Sequence, residues 1–122
     1  MKRREIARGE WQTFFDGFNG QHGGWLVDVD RLDEFQDESV SRRHRAGALR
    51  GVQSAAGAVA LDLDDRASGH VETERIQDAQ RVVLEQSDDE IDTTLEIDGA
   101  QSCVILRFRH PMPADMVDGV AG

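Results

Sequence analysis

The stretch from residue 10 to residue 29, EWQTFFDGFNGQHGGWLVDV, changes from the hydrophobic period of a helix to that of a strand. Its first apolar positions are 11, 14, 15 and 18, which lie on one face of an α-helix. After the glycines at 20, 23 and 24, Trp25, Val27 and Val29 alternate with other side chains, as in a strand with one buried face. The stretch predicts an amphipathic helix over about residues 9–20 and a strand that shares its core.

Short strand-like segments dominate the rest of the chain. They lie at 42–53, 58–65, 70–76, 81–86, 93–97 and 102–109. Turn signals separate them, and the clearest is Asp98-Gly99 between two apolar alternations. Because the last segment is apolar on both faces, we expect it to be a central strand.

These elements predict an α+β fold that is mainly β, in a single domain covering 1–122. One N-terminal amphipathic helix packs on an antiparallel sheet of about six to seven strands within residues 25–109. The basic lead-in 2–8 is expected to be extended or frayed, 33–41 to be an acidic loop, and 110–122 to be a short turn or tail. Two arrangements stay open: an open sheet under the helix, or a small barrel that the helix plugs.

The charge balance narrows the range of partners. The chain has 24 acidic residues against 14 Lys and Arg, a net charge of −10. Such a field repels nucleic acid and anionic membrane surfaces. The basic start MKRREIARGE is not followed by the apolar run of a signal peptide. We therefore expect a cytoplasmic protein without a membrane or nucleic-acid partner.

Three segments resemble a known family. They are REIARGEWQTFFDGFNGQHGGWLVDV at the N-terminus, RVVLEQ in the middle, and the closing LEIDGAQSCVILRFR with a proline after it. Together they are similar to small acidic bacterial proteins catalogued as a domain of unknown function, DUF5335. Ala7 and Gly9 depart from the Pro and Asp that the family tends to have. The resemblance implies a shared fold and no known activity.

Metal and catalytic signatures are weak. The histidines, at 22, 44, 70 and 110, lack the spacing that lets two imidazoles share a metal. Acidic clusters at 28–34, 62–65 and 88–92 could suggest calcium, but the EF-hand template fails when counted from Asp62 or Asp88, and a solvated acidic face is the default interpretation. Cys103 lies in an apolar strand-like run and is predicted to be a buried structural thiol. We expect no catalytic residue, no metal and no cofactor.

A local basic strip stands out in this acidic chain. It consists of Arg42, Arg43, Arg45 and Arg50. One interpretation is a strand whose arginines pair with carboxylates on neighbouring strands. The other is a patch that binds an anion or a partner. A helix followed by short antiparallel strands also resembles Sm-like RNA-binding oligomers, although the net charge argues against that reading.

His22 raises the one specific site question. As the helix ends near it, its ring is expected to cap the helix C-terminus. The alternative is a pocket lined by His22 and Trp25, with Arg107 as a further ligand-binding candidate. Our leading hypothesis is a non-catalytic binding or protein-interaction module that contacts itself, as a homo-oligomer, or another protein. A small-ligand binder or enzyme using that pocket, and an Sm-like RNA-binding oligomer, are the alternatives.

Overall fold

The computed structural model describes residues 1–35 and 37–109, which form one α-helix and eight β-strands. The strands are β1 (Lys2–Ile6), β2 (Leu26–Glu34), β3 (Val40–Ala55), β4 (Ala58–Asp65), β5 (Val71–Ile76), β6 (Arg81–Gln86), β7 (Asp92–Asp98) and β8 (Ser102–Phe108). Helix α1 (Trp11–His22) follows a 3-10 turn over Arg8–Glu10. The strands form one antiparallel sheet in the order β1-β6-β7-β8-β2-β3-β4-β5, which is not closed into a barrel. The predicted fold class is confirmed, and β8 lies inside the sheet as expected.

The lead-in over residues 2–8 was expected to be extended or frayed, and the structure shows it extended over Lys2–Ile6 as β1, the strand that raises the total to eight. It pairs with β6 along its whole length, from Lys2 opposite Gln86 to Ile6 opposite Val82. Only Ile6 is buried, so the segment lacks the apolar alternation that marks a strand in sequence. Its partners lie about 80 residues away in the chain, where local patterns do not reach.

The acidic loop predicted for 33–41 is shorter than expected. Strand β2 continues to Glu34, and β3 begins at Val40, opposite Glu34 in the register. The connection is therefore confined to residues 35–39. The predicted turn or tail over 110–122 lies outside the described residues.

Helix α1 runs past the predicted end at Gly20 and finishes at His22. The N–H of Gly23 still bonds to the carbonyl oxygen of Asn19, and Gly24 then takes a φ of +87°. Glycine adopts that left-handed conformation without the steric penalty of a side chain. The reversal therefore falls at Gly24, and Trp25 enters β2 from there.

The core lies between α1 and one side of the sheet, which we call the inner face. Trp11, Phe15 and Phe18 point from α1 into this core and are almost fully buried. Each such ring contributes roughly 1.5–3 kcal/mol by its removal from water. Asn19 ties α1 to β3, since its amide bonds both the N–H and the carbonyl oxygen of Val52 at 2.8 Å. We call the opposite side of the sheet the outer face.

The described residues contain no helix with the length and apolar character needed to cross a membrane.

Candidate functional site

His22 neither caps the helix C-terminus with its ring nor lines any of the three grooves described below. It is the last residue of α1, and its side chain turns inward, with 5% of the residue exposed. Its Nε2 donates a hydrogen bond to Oδ2 of Asp92 at 2.7 Å, because an ionised carboxylate can only accept. The predicted capping role is therefore wrong: the ring joins the end of α1 to the start of β7.

Three aromatic rings surround the His22 imidazole. Phe18, Trp25 and Phe108 have ring centroids 4.6–4.7 Å from it. Trp25 itself is half-buried. The Nδ1 atom of His22 is buried and has no hydrogen-bond partner among the described residues. A buried polar atom without a hydrogen-bond partner lowers stability by about 1–3 kcal/mol, so this nitrogen opposes the stabilisation that the surrounding rings provide.

Asp92 is held as a carboxylate by its neighbours. Burial raises its pKa, but hydrogen bonds from His22 and from Gln86, at 2.7 Å each, more than offset that effect. The pKa of Asp92 is therefore lowered from its ordinary value. The pair stabilises the junction of helix and sheet at neutral pH.

The basic strip does not form one surface, because its residues divide between the two faces of the sheet. Arg43 and Arg45 share rows with Val104 and Leu106, which are core residues, so they lie on the inner face. Arg42 shares its row with Leu32 and Cys103 on the outer face. Because successive residues of a strand point to opposite faces, the adjacent Arg42 and Arg43 cannot form one continuous patch.

The inner-face arginines converge on one buried carboxylate, that of Glu74 in β5. Glu74 is 2% exposed. Arg43 donates to both of its oxygens, Arg45 Nε donates to Oε2 at 2.9 Å, and Arg31 Nη1 lies 3.4 Å from Oε1. Burial raises the pKa of Glu74, but the hydrogen bonds from Arg43 and Arg45 outweigh it, so the pKa is lowered. These arginines serve the fold, as the ion-pair interpretation of the strip expected.

Arg50 is the extra residue of a β-bulge in β3. The register steps from Leu49 opposite Leu63 to Gly51 opposite Asp62, which leaves Arg50 without a partner in β4. Its guanidinium lies 3.2 Å from the carboxylate of Asp64 at an exposed position. Arg50 is thus separated from the rest of the strip.

The outer face carries a groove of about 500 Å³ across strands β8, β2 and β3. We call it the outer groove. Its lining consists of Asp30, Arg31, Leu32, Arg42, Arg43, His44, Cys103, Ile105 and Arg107. The apolar members are half-buried, whereas Arg42, Arg107 and His44 are exposed. The outer groove therefore has an apolar floor and a mainly cationic rim.

Asp30 organises part of that rim. Its carboxylate accepts hydrogen bonds from Nδ1 of His44, at 2.7 Å, and from Nη1 of Arg107. Burial raises the pKa of Asp30, but these two hydrogen bonds outweigh it and the pKa is lowered. Arg107, a candidate ligand contact from the sequence, thus lines one groove together with Arg42 of the basic strip, and does not lie beside His22 and Trp25.

Cys103 lies at one end of the floor and is not activated. Burial, and then a hydrogen bond with Asp98, raise the pKa of its thiol to about 12. Glu96, Asp98 and Cys103 are close enough for one atom of each to approach a common ion. Arg81 already binds this cluster, with Nη2 3.0 Å from Asp98 and 3.4 Å from Glu96. Cys103 is half-buried and not buried as predicted, although its raised pKa agrees with an unreactive structural thiol.

A second, smaller groove of about 160 Å³ borders the outer groove at the turn between β7 and β8. It shares Leu32 and Cys103 with the outer groove. A third groove, of about 370 Å³, lies between the start of α1 and the turn after β3. Arg8 and Trp11 line it, and the Arg8 guanidinium lies 5.1 Å from the centroid of the Trp11 ring.

Sequence reasoning missed four residues that organise these sites: Asn19, Asp30, Glu74 and Asp92. Asp92 and Glu74 lie 70 and 31 residues from His22 and Arg43, the partners they bind. Each stands in a segment rich in other acidic residues, so only the fold distinguishes it. One signal was available in the sequence: Asp28, Asp30 and Leu32 are alternate residues of β2, which indicates that they share one face of the sheet.

Comparisons with known proteins add no relative. No protein-family model matches the chain, and no curated protein or solved structure matches it. The resemblance to DUF5335 therefore stays a prediction.

Proposed function

We propose that the protein is a small non-catalytic binding module of the cytoplasm that contacts a protein partner through the outer groove. One observation carries this proposal: in a chain of net charge −10, a sheet face that no other described element covers presents an apolar floor bordered by Arg42 and Arg107. Among residues 1–35 and 37–109, helix α1 covers the inner face only, and Leu32, Cys103 and Ile105 are half-buried at the centre of the outer face. A concave apolar surface with a few convergent polar groups is the usual form of a binding site.

The neighbourhood of the groove supports a partner that is larger than a metabolite. Phe35 and Val40, just beyond it at the end of the β2–β3 hairpin, are 53% and 51% exposed. Large apolar side chains near a groove are typical of protein contact surfaces. Together with the groove they extend the candidate surface along two strands.

Self-association through a sheet edge has weaker support. Strand β5 is one edge of the sheet, and Arg31 Nη1 donates to the carbonyl oxygen of Arg75 in it at 2.8 Å. The other edge, β1, carries Lys2, Arg3 and Arg4 along its length. Charged edge strands and covered edges are the devices by which sheets avoid pairing with copies of themselves.

Affinity capture with matched variants tests the proposal. Ile105→Ser removes an apolar side chain from the floor, and Val71→Ser removes an exposed one on β5, outside the groove. Tagged protein of each kind is exposed to an extract of the native host, after thermal unfolding has shown that both variants are folded. We expect a defined partner to be retained by the wild type and by Val71→Ser and to be lost with Ile105→Ser. Equal retention by all three would contradict the proposal.

A second candidate function, a small-ligand site at His22 and Trp25, is favoured by the buried Nδ1 of His22, which lacks a partner among the described residues. A ligand that donates a hydrogen bond there would satisfy this atom. Substitutions His22→Ala and Trp25→Ala test it. If both substitutions lower the stability of the protein but change neither the binding of any ligand nor the phenotype, this candidate should be dropped.

A further inference from the structure

We infer that the outer groove accepts an extended protein segment that places a glutamate or aspartate side chain next to a branched apolar one. This inference rests on the proposed function and names the chemistry of the partner. Three observations support it: the charges around the floor of the outer groove, the shape of that groove, and which cations on its rim are already bound to a carboxylate.

Arg42 is the cation that is open to a new partner. Arg43 and Arg45 bind Glu74, and Arg107 binds Asp30. By contrast, Arg42 forms no hydrogen bond or ion pair with any residue in the part of the chain that the structure describes, and its side chain is exposed. An arginine fork suits a carboxylate, which it binds through two parallel hydrogen bonds. A carboxylate arriving at Arg42 would therefore form a new pair without breaking an existing one.

Arg107 offers a second contact by exchange. Its guanidinium and the His44 ring both donate to the carboxylate of Asp30. Because these groups are exposed, their pairing is weak in water, and an incoming carboxylate can share Arg107 with Asp30. The rim thus presents Arg42 and Arg107 on opposite sides of a strip in which Leu32 and Ile105 supply the apolar contact.

The shape favours an extended segment over a compact ligand. The outer groove and the 160 Å³ groove share Leu32 and Cys103, so they form one elongated depression. Its second part is lined by Glu34 and Asp98. The Arg42 end of the depression is therefore cationic, whereas the other end carries the Glu34 carboxylate and an Asp98 carboxylate that Arg81 already binds. This difference sets a direction for a bound segment whose carboxylate lies at the Arg42 end.

The net charge of −10 does not prevent this contact. At physiological ionic strength, charges farther apart than about 8 Å are largely screened from one another. On the outer face the lining carries Arg42 and Arg107 against one aspartate, Asp30, because Arg31 and Arg43 bind Glu74 on the inner face. The local field at the groove therefore still favours an anion. Long-range repulsion lowers the association rate and lessens as salt is added, whereas the local attraction determines where the segment binds.

A synthetic probe tests the inference on the intact protein. The probe is a short fluorescent peptide that alternates leucine with glutamate, and its binding is followed by anisotropy. We expect saturable binding that weakens about tenfold in Arg42→Glu and less than about twofold in the matched variant Arg50→Glu. Asp30→Asn, which releases Arg107, is expected to strengthen binding. A peptide with lysine for glutamate, or with serine for leucine, should bind at least about tenfold more weakly.

Several outcomes would overturn the inference. If Arg42→Glu and Arg50→Glu weakened binding of the probe equally, the probe would be responding only to the overall charge of the protein. Equal binding of the lysine peptide would remove the acidic specificity while leaving a protein-binding groove, and thus the proposed function, in place. Inhibition by free glutamate as strong as by the peptide would indicate a small-anion site. A dimer in sedimentation that dissociates in Arg42→Glu would mean that the occupant is a second copy. If no probe binds and Ile105→Ser also retains the native partner, the proposed function fails with the inference.

Discussion

The imidazole of His22 and the carboxylate of Asp92 are joined by a 2.7 Å hydrogen bond although 70 residues separate them in the chain. The bond fixes the last residue of α1 to the first residue of β7, within a cluster of aromatic rings. The chain reverses after α1 at Gly24, whose φ is +87°.

Loss of the His22 ring should destabilise the protein. In His22→Ala, the buried ring is deleted and the buried Asp92 loses a donor, so we expect the free energy of unfolding to fall by at least about 2 kcal/mol. The exposed His70 supplies the matched substitution, and His70→Ala should change stability by no more than about 0.5 kcal/mol. Urea denaturation measures both. Similar stabilities for the two variants would show that the His22–Asp92 pair does not support the fold.

Glu74 should make stability depend on pH on the acidic side. Its pKa in the folded protein is lowered from the ordinary value of 4.5. The stabilisation that it contributes is therefore fully present above that value and is lost as pH falls through the lower, folded-state pKa. We expect Glu74→Gln to be less stable than the wild type at pH 7 and to show a smaller loss of stability on acidification. Urea denaturation at a series of pH values measures this, with the exposed Glu38→Gln as the control. Parallel pH profiles for Glu74→Gln and the wild type would refute the assignment.

Gly47 should tolerate no side chain. A Cβ atom there would lie 1.9 Å from the carbonyl oxygen of Asp64 in β4, a backbone atom that cannot move without separating the strands. We expect Gly47→Ala to lower the melting temperature severely or to prevent folding. Gly17, in the exposed middle of α1, has nothing within 4 Å of the same position. Gly17→Ala should stabilise the helix by about 0.5–1 kcal/mol. A Gly47→Ala variant that melts with the wild type would show that β3 and β4 do not approach as described.

The Cys103 thiol should react slowly. With a pKa of about 12, the thiolate fraction at pH 8 is on the order of 1 in 10,000, against roughly a quarter for a free cysteine. Alkylation by iodoacetamide should therefore be at least about a thousandfold slower than that of free cysteine. Asp98→Asn, which removes a charge that raises this pKa, should speed the reaction. Alkylation of the wild type at the rate of free cysteine would contradict the assigned environment.

The sequence predicted the elements that local periodicity defines and missed those that depend on distant partners. The helix face of Trp11, Phe15 and Phe18 and the strand alternation in β4 are local patterns, and both were confirmed. Strand β1 was missed because its side chains are mostly charged. They form ion pairs with residues of β6 and of the β6–β7 connection, such as Arg3 with Glu85 at 2.7 Å.

The candidate site was predicted in its parts and not as a whole. Arg42 and Arg107 were both identified from the sequence, but their meeting depends on β2 lying between β3 and β8. The alternation of strand side chains could already have separated Arg42 from Arg43. The carboxylate that binds Arg43 could not have been found, because Glu74 is one of many acidic residues and only the register of β4 with β5 selects it.

Photo-crosslinking from defined positions shows whether the outer groove is the surface that binds the partner. A photoreactive residue is placed at Arg42, in the outer groove, and as a control at Gln53, which is exposed in the same strand β3 but outside it. We expect a discrete adduct with a partner protein from position 42, competed by excess unlabelled wild type, and no such adduct from position 53. The same adducts from both positions, or a specific adduct from position 53 alone, would contradict it.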